Sequence, residues 1–394
     1  MGLLFNEEQR LLQETAQDYF QNNFNTKTLR QMREERDALC YVPELWQQMA
    51  EMGWTGVIYP ESYGGMGLAN LDMALLMREM GRVALPSPIL STVLLAGRAV
   101  LEGGTEEQKR SLLPGIAAGE LLLSFAFTEA SAQPNAATVR TAARLENGRF
   151  VLNGTKHFVE FAEQAGRMLV VARTREGSDP GQGLTMFLVD SRAPGIEYVP
   201  LDTLALQPQA KVLLKNVQVA ATDVVGRVDH AWSVLDPVIQ AATAILCGYM
   251  TGIAEGAHEL AVSYTKERVQ YGRPIGAFQA IQNYLATAWA KNTMGEYLAY
   301  YAAWLIDQGL PSREAVSTAK AFVGYSAVES TQLATQLHGG LGATADARTT
   351  PFLRWAKQLQ QTLGNSQYHE KVVAAEILDR DPPRLDETHS LALC

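Results

Sequence analysis

Cysteine is nearly absent from this chain: 394 residues carry only Cys40, Cys247 and Cys394. Their spacing suits neither a disulfide framework nor a thiolate metal site, and a reducing compartment fits. Cys247 lies in an apolar run and reads as a small core residue. A basic excess is also missing. Thirty-three Lys and Arg against 42 Asp and Glu leave a net charge of -9, which disfavours nucleic acid as a partner. A few placed arginines would still suffice for a pyrophosphate. No apolar run reaches the length of a bilayer span. The longest, Val238 to Ile253, is interrupted by Gln240, Thr243 and Gly248 and reads as a buried helix. The segment Met1 to Gln21 is amphipathic, with early acids but neither a basic n-region nor a cleavage site, so it is not expected to be a signal peptide. The expected location is the cytoplasm. Internal repeats and low-complexity tracts are missing as well.

What the chain does have is a change of period along its length. Residues 1–120 read as helices, with apolar groups three and four apart from Glu7 to Phe20 and again after Pro43. A glycine-rich turn, Pro60 to Gly67, precedes a helix that starts at Asn70 or Asp72 and runs to Arg82, with Pro86 and Pro88 beyond it. Gln108 to Ile116 is the last helix of this region. Residues 121–230 shift to a period of two. Strands are expected at 122–127, 139–144, 149–152, 168–174, 184–189 and 212–217, with a hairpin turn at Glu146-Asn147-Gly148. From 231 to 394 the pattern is helical again, in four long segments: 232–270, 280–308, 312–337 and 353–379. The fold class is therefore α+β and multidomain: an N-terminal helical domain, a central β-barrel and a C-terminal four-helix bundle.

The succession of short motifs resembles the acyl-CoA dehydrogenase family over essentially the whole chain. Pro60-Glu61, Gly64-Gly65, Glu79-Met80-Gly81-Arg82, Gln108-Lys109 and Leu113-Pro114 carry the match early. Phe127-Thr128-Glu129 resembles the segment lying against the flavin ring, where Thr128 would stabilise charge on the reduced ring. Asn153-Gly154-Thr155-Lys156 resembles the turn into a second flavin strand. There Phe158 would stack on the ring and Glu160 stands where the family has a hydroxyl. Arg268-Val269-Gln270-Tyr271-Gly272, followed by Gln279, resembles the family's pyrophosphate-binding segment, which serves the flavin across a subunit boundary. Gln336, Gly339, Gly340 and Gln367 would complete the site. The resemblance implies FAD as cofactor, an acyl-CoA substrate, a homo-oligomer or a hetero-tetramer with a related subunit, and electron-transfer flavoprotein as electron acceptor. His338 reads as packing beside the flavin and His369 as a surface residue; neither has metal-ligand partners.

One feature of the family is missing. Its reaction removes an α-proton from the thioester, and a carboxylate does this. Leu363 stands where that glutamate is usually found, and Ala242 at the alternative position on the first bundle helix. Three readings stay open. Another acid acts as base, with Glu160 the candidate; the chain is a base-lacking flavin-binding subunit of a heteromeric dehydrogenase; or the scaffold binds flavin without desaturating a thioester, a flavin monooxygenase being a further variant. In each, the Leu363 N–H could still hold a thioester carbonyl.

Overall fold

The computed structural model describes residues 5–34, 39–177, 179–205, 207–344 and 347–378; Cys394 and the end of the last expected helix lie outside them. Six helices come first: α1 (Glu7–Asn23), α2 (Thr26–Glu34), α3 (Pro43–Glu51), α4 (Asn70–Arg82), α5 (Arg98–Gly103) and α6 (Glu106–Ala117). Thr105 and Gln108 form a reciprocal cap at the start of α6. Gln108 also donates through Nε2 to the carbonyls of Thr222 and Val224, fastening this helix to the β-domain. Between α4 and α5 lies an element that the prolines obscured in the sequence, a π-helical stretch at Ile89–Gly97. Its wide turns are held by buried partners from outside. Tyr59 donates to the Val93 carbonyl at 2.9 Å, and Thr92 Oγ1 donates to the Leu123 carbonyl at 2.9 Å. A Cβ on Gly97 would lie 2.1 Å from the Tyr59 hydroxyl.

The β-domain contains β1 (Leu123–Ala126), β2 (Ala142–Glu146), β3 (Arg149–Glu160), β4 (Arg167–Arg173), β5 (Leu184–Asp190), β6 (Ile196–Leu201), β7 (Gln209–Ala220) and β8 (Val224–Val225). The barrel wall is hydrogen-bonded as an open path, β6-β7-β3-β2-β4-β5-β8, with β1 paired parallel to β4. Met168, Val170 and Ala172 of β4 face a core inside the sheet, while Leu169 and Val171 face the helices. Burial on both faces explains the unbroken apolar run in this strand. Two expectations are corrected here. Asn153 to Lys156 is no turn; β3 runs straight through it, with a register shift between Leu152 and Gly154. A Cβ on Gly154 would come within 2.7 Å of the Thr141 backbone, so glycine serves close strand approach there. The short strands β6 and β8 were also not foreseen, since β6 is largely exposed and β8 has only two residues.

The bundle consists of α7 (Trp232–Glu267), α8 (Gln279–Asp307), α9 (Arg313–Leu337), α10 (Thr350–Gln361) and α11 (Ser366–Leu378). A two-stranded hairpin, β9 (Val269–Gln270) with β10 (Arg273–Pro274), separates α7 from α8, so the first bundle helix stops three residues earlier than expected. The apolar stretch of α7 is long enough to cross a membrane, but 89% of it is buried inside the protein. Cys247 is fully buried there. The expected fourth long helix is two helices, broken at residues 362–365, because Leu363 and Gly364 both take left-handed backbone angles (φ 55° and 96°). The bundle is joined to α4 by a network of partly buried charges. Arg78 meets Glu79, Glu255 and Glu296, and Arg82 meets Glu79 and Glu259.

Candidate functional site

The segment after β1 is fixed from behind. Phe127 is 2% exposed, its ring packed near Phe125 and Trp232. It can therefore meet a ligand only through its backbone. Lys156 of β3, fully buried, donates to the Phe127 carbonyl at 3.2 Å and to Glu129 at 2.7 Å. Glu129 also accepts from the N–H groups of Arg140 and Thr141. Burial alone would raise this carboxyl, but Lys156 and those donors hold it below the usual carboxylate range. The Thr128 carbonyl accepts from the His157 N–H at 2.8 Å, which locks the half-buried Thr128 beside the end of β3.

That strand end is distorted. A second register shift falls between Lys156 and Val159, and Phe158 and Phe161 both have positive φ (55° and 53°). Such backbone is strained for aromatic residues and concentrates at functional sites. It leaves Phe158 49% exposed and turns Glu160 inward to 8%. Ser124 Oγ anchors the Glu160 carbonyl at 2.6 Å. The carboxyl itself has only amide company. Gln209 Nε2 donates to Oε1 at 3.4 Å, Gln207 helps, and Oε2 has no partner among the described residues. Burial pushes this acid up to about 7, against the pull of the two glutamines.

The loop between α10 and α11 is joined to this region by two contacts. Ala205, on the loop that carries Gln207, donates through its N–H to Gln358 of α10 at 2.9 Å; the Tyr368 hydroxyl donates to the Pro134 carbonyl at 3.4 Å. Within the loop, Leu363 is half-buried and Ala242 is fully buried in the helical core. Neither expected base position offers an acid. Lys320 of α9, fully buried, donates to the carbonyls of Leu359, Gln360 and Gly364. His369 is a correction: it is buried, not at the surface. Its Nε2 lies 2.9 Å from the Leu363 carbonyl and its Nδ1 3.2 Å from Ser317 Oγ. Burial, with Lys320 adding to it, lowers this imidazole to about 4, so it is neutral. Sequence reading missed Lys156, Lys320 and this role of His369. The signal available was a lysine set in a small, apolar helical run, Ala319-Lys320-Ala321.

A second group lies at the end of α7. Arg268, Gln270, Tyr271 and Gln279 are all exposed, Tyr271 at 94% and at the tip of the β9–β10 hairpin with φ 52°. Arg273 rests 4.2 Å over the Phe278 ring. His338 stacks on Tyr264 at 4.3 Å, bringing Gly339 and Gly340 beside this helix end. Nothing lies within 4 Å of a Cβ built on either glycine, so their backbone is open to close approach. Gln336 and Gln367 are exposed. Among the described residues, no hydrogen bond, ion pair or ring contact connects the Arg268 group with the Thr128–Glu160 group. The two groups stand apart within the chain.

Three family models match in succession: the N-terminal domain of acyl-CoA dehydrogenase over residues 6–120, the middle domain over 124–217 and the C-terminal domain over 232–378. The chain belongs to the acyl-CoA dehydrogenase family. Acryloyl-CoA reductase (NADH) of Anaerotignum propionicum is 31% identical over 96% of this chain and 97% of its own length. Butyryl-CoA dehydrogenase of Megasphaera elsdenii superimposes with a TM-score of 0.87 at 26% identity, covering 96% of this chain and all of the other. A chain from the structural work on the electron transferring flavoprotein of Acidaminococcus fermentans superimposes with a TM-score of 0.88 at 32% identity, covering 97% and 100%. As a member of this acyl-CoA dehydrogenase family, the chain is an FAD-dependent oxidoreductase acting on the CH–CH bond of acyl-CoA thioesters. Its residues suit such a cofactor. Phe158 offers an exposed ring face, Glu160 an unpartnered buried oxygen, Arg268 an exposed cation, and Gly339 and Gly340 an unobstructed backbone.

Proposed function

We propose that this acyl-CoA dehydrogenase interconverts an acyl-CoA and its α,β-unsaturated thioester, with Glu160 as the proton-transfer group. The observation that carries the proposal is the buried Glu160 carboxyl with its free Oε2, raised to about 7. An acid poised near the working pH both accepts and returns a proton efficiently. Leu363 and Ala242 have no such capacity. In the oxidising direction the α-proton passes to Glu160 and the β-hydrogen leaves with its electron pair. FAD, when bound, supplies the acceptor for that hydride. The Leu363 N–H, which forms none of the described backbone hydrogen bonds, is free to hold the thioester carbonyl. Thr128 and Phe158 would hold the flavin ring; Arg268, Gln270, Tyr271, Gln279, Gln336, Gly339, Gly340 and Gln367 would hold its dinucleotide end.

The two half-sites support assembly as at least a dimer, with the Arg268 group of one subunit completing the flavin site of the next. Electron-transfer flavoprotein is the partner that exchanges electrons with the flavin, in keeping with the flavoprotein context of one structural relative. The cytoplasm is the proposed location. The test is anaerobic addition of a panel of acyl-CoA thioesters to the yellow protein. Bleaching of the flavin is expected, and Glu160→Gln should slow it by about 10² to 10⁴. Undiminished bleaching in that variant overturns the role of Glu160. Bleaching only after mixing with a related subunit would instead identify a heteromeric enzyme whose partner carries the base.

A further inference from the structure

We propose that Lys320 and His369 form a clamp that positions the Leu363 amide for the thioester carbonyl, and that the clamp releases at alkaline pH. This deepens the site proposed above and rests on it. Three carbonyls, those of Leu359, Gln360 and Gly364, converge on Lys320 Nζ at 3.1, 3.1 and 2.9 Å. An ammonium has three N–H groups and satisfies all three; a neutral amine has two and leaves one carbonyl buried without a donor. His369 takes the Leu363 carbonyl between the two ends of this grip. With the carbonyls of both Leu363 and Gly364 drawn inward, the backbone of the left-handed turn is fixed and the Leu363 N–H direction with it. Gly364 is required for the same reason, because a Cβ there would lie 2.6 Å from the Tyr368 ring and 2.9 Å from His369 Nε2.

No carboxylate pairs with Lys320 among the described residues. The titratable groups that interact with it are the Cys247 thiol of α7, pushed up by burial to about 12, and His369 of α11, neutral above about pH 4. None on α8 or α10 does so. Burial lowers Lys320 to about 8, with Cys247 pulling weakly the other way. The folded value therefore lies below the ordinary 10.5, and the unfolded chain binds more protons between those two pH values. The stability contribution of this residue consequently rises with pH over the window in which the clamp loses its third donor. A loss of binding there is not a loss of fold.

The experiment is calorimetric titration of the FAD-loaded protein from pH 7 to 9.5 with 3-thiahexanoyl-CoA, whose β-sulfur has no hydrogen to lose. Its thioether counterpart, with CH2 in place of the carbonyl, is the control. Affinity for the thioester should fall about 3- to 10-fold across this range, the worth of one hydrogen bond, while the thioether stays level. In Lys320→Gln, a neutral side chain with two N–H groups, the thioester affinity should be flat with pH. Equal pH dependence of the two ligands, or none for either, overturns the clamp; so does a Lys320→Gln profile matching the native one. If that variant does not fold, the native titration with its control decides alone. Failure of both ligands to bind at any pH overturns the acyl-CoA site itself, a result distinct from a flat profile.

Discussion

At the scale of single residues, buried charge does most to define this site. Lys156, Lys320 and Glu160 are all withdrawn from water, yet their environments differ in kind. Lys156 has a carboxylate, Lys320 has three carbonyls, and Glu160 has two amides and a free oxygen. Of the three, only Glu160 has a buried polar atom without a described partner. Its stability signature follows from the raised value. Glu160 titrates near 7 in the folded chain against 4.5 ordinarily, so the folded state binds more protons between those values. Its contribution is fully present below about pH 4.5 and lost as pH rises through 7, a swing of about 3 kcal/mol. Glu160→Gln should therefore gain stability relative to the native protein between pH 5 and 8. Parallel denaturation midpoints for the two proteins over that range would contradict the assignment. The sequence marked Glu160 as an acid out of place, but the amides that meet its carboxyl come from Gln207 and Gln209, some fifty residues away.

Among the elements, the π-helical stretch at Ile89–Gly97 shows how a local departure is stabilised from afar. The Val93 carbonyl accepts from the Arg98 N–H and also from the Tyr59 hydroxyl. Tyr59→Phe keeps the ring and removes the donor. It should cost about 0.5–1.5 kcal/mol, the net worth of one hydrogen bond, since the Val93 carbonyl keeps the Arg98 N–H, read as a fall in the denaturant midpoint at unchanged slope. A midpoint equal to that of the native protein would show that the stretch needs no outside support. Pro86 and Pro88 were legible as a break after α4, whereas a π-helix has no hydrophobic period that would distinguish it from the α-helix following it. The break between α10 and α11 was hidden differently. Thr362-Leu363-Gly364 carries no proline, and the apolar pattern continues across it. Lys320 and His369 hold the turn from outside, together with Thr362 and Asn365 of the loop itself.

For the whole molecule, the separation of two groups of exposed and buried polar residues is what matters. The Arg268 group and the Thr128–Glu160 group share no described contact, and Arg268 is exposed just past the end of a helix that is largely buried. Arg268→Gln should weaken FAD retention by about tenfold or more, the worth of a charge-assisted hydrogen bond. Helical content and the thermal midpoint of the apoprotein should stay unchanged. Dialysis against flavin-free buffer containing a chaotropic salt, followed by absorbance, measures the loss. Retention equal to that of the native protein would remove Arg268 from the site. The charged weld of Arg78 and Arg82 with Glu79, Glu255, Glu259 and Glu296 acts at the same scale, tying α4 to α7 and α8 so that the N-terminal helices and the bundle move as one support.

The order of helical and strand regions and the positions of most helices and strands were determined by the sequence itself. They depend on periods of 3.6 and 2, on glycine and proline punctuation, and on short motifs, all of which are local. The bend in β3 that turns Glu160 inward, the burial of His369 and the grip of Lys320 on three carbonyls were decided only by tertiary structure. Each depends on which distant groups converge on one buried atom. No local pattern records that convergence, because burial, and with it the charge state of an acid or a base, is set by whatever packs around it.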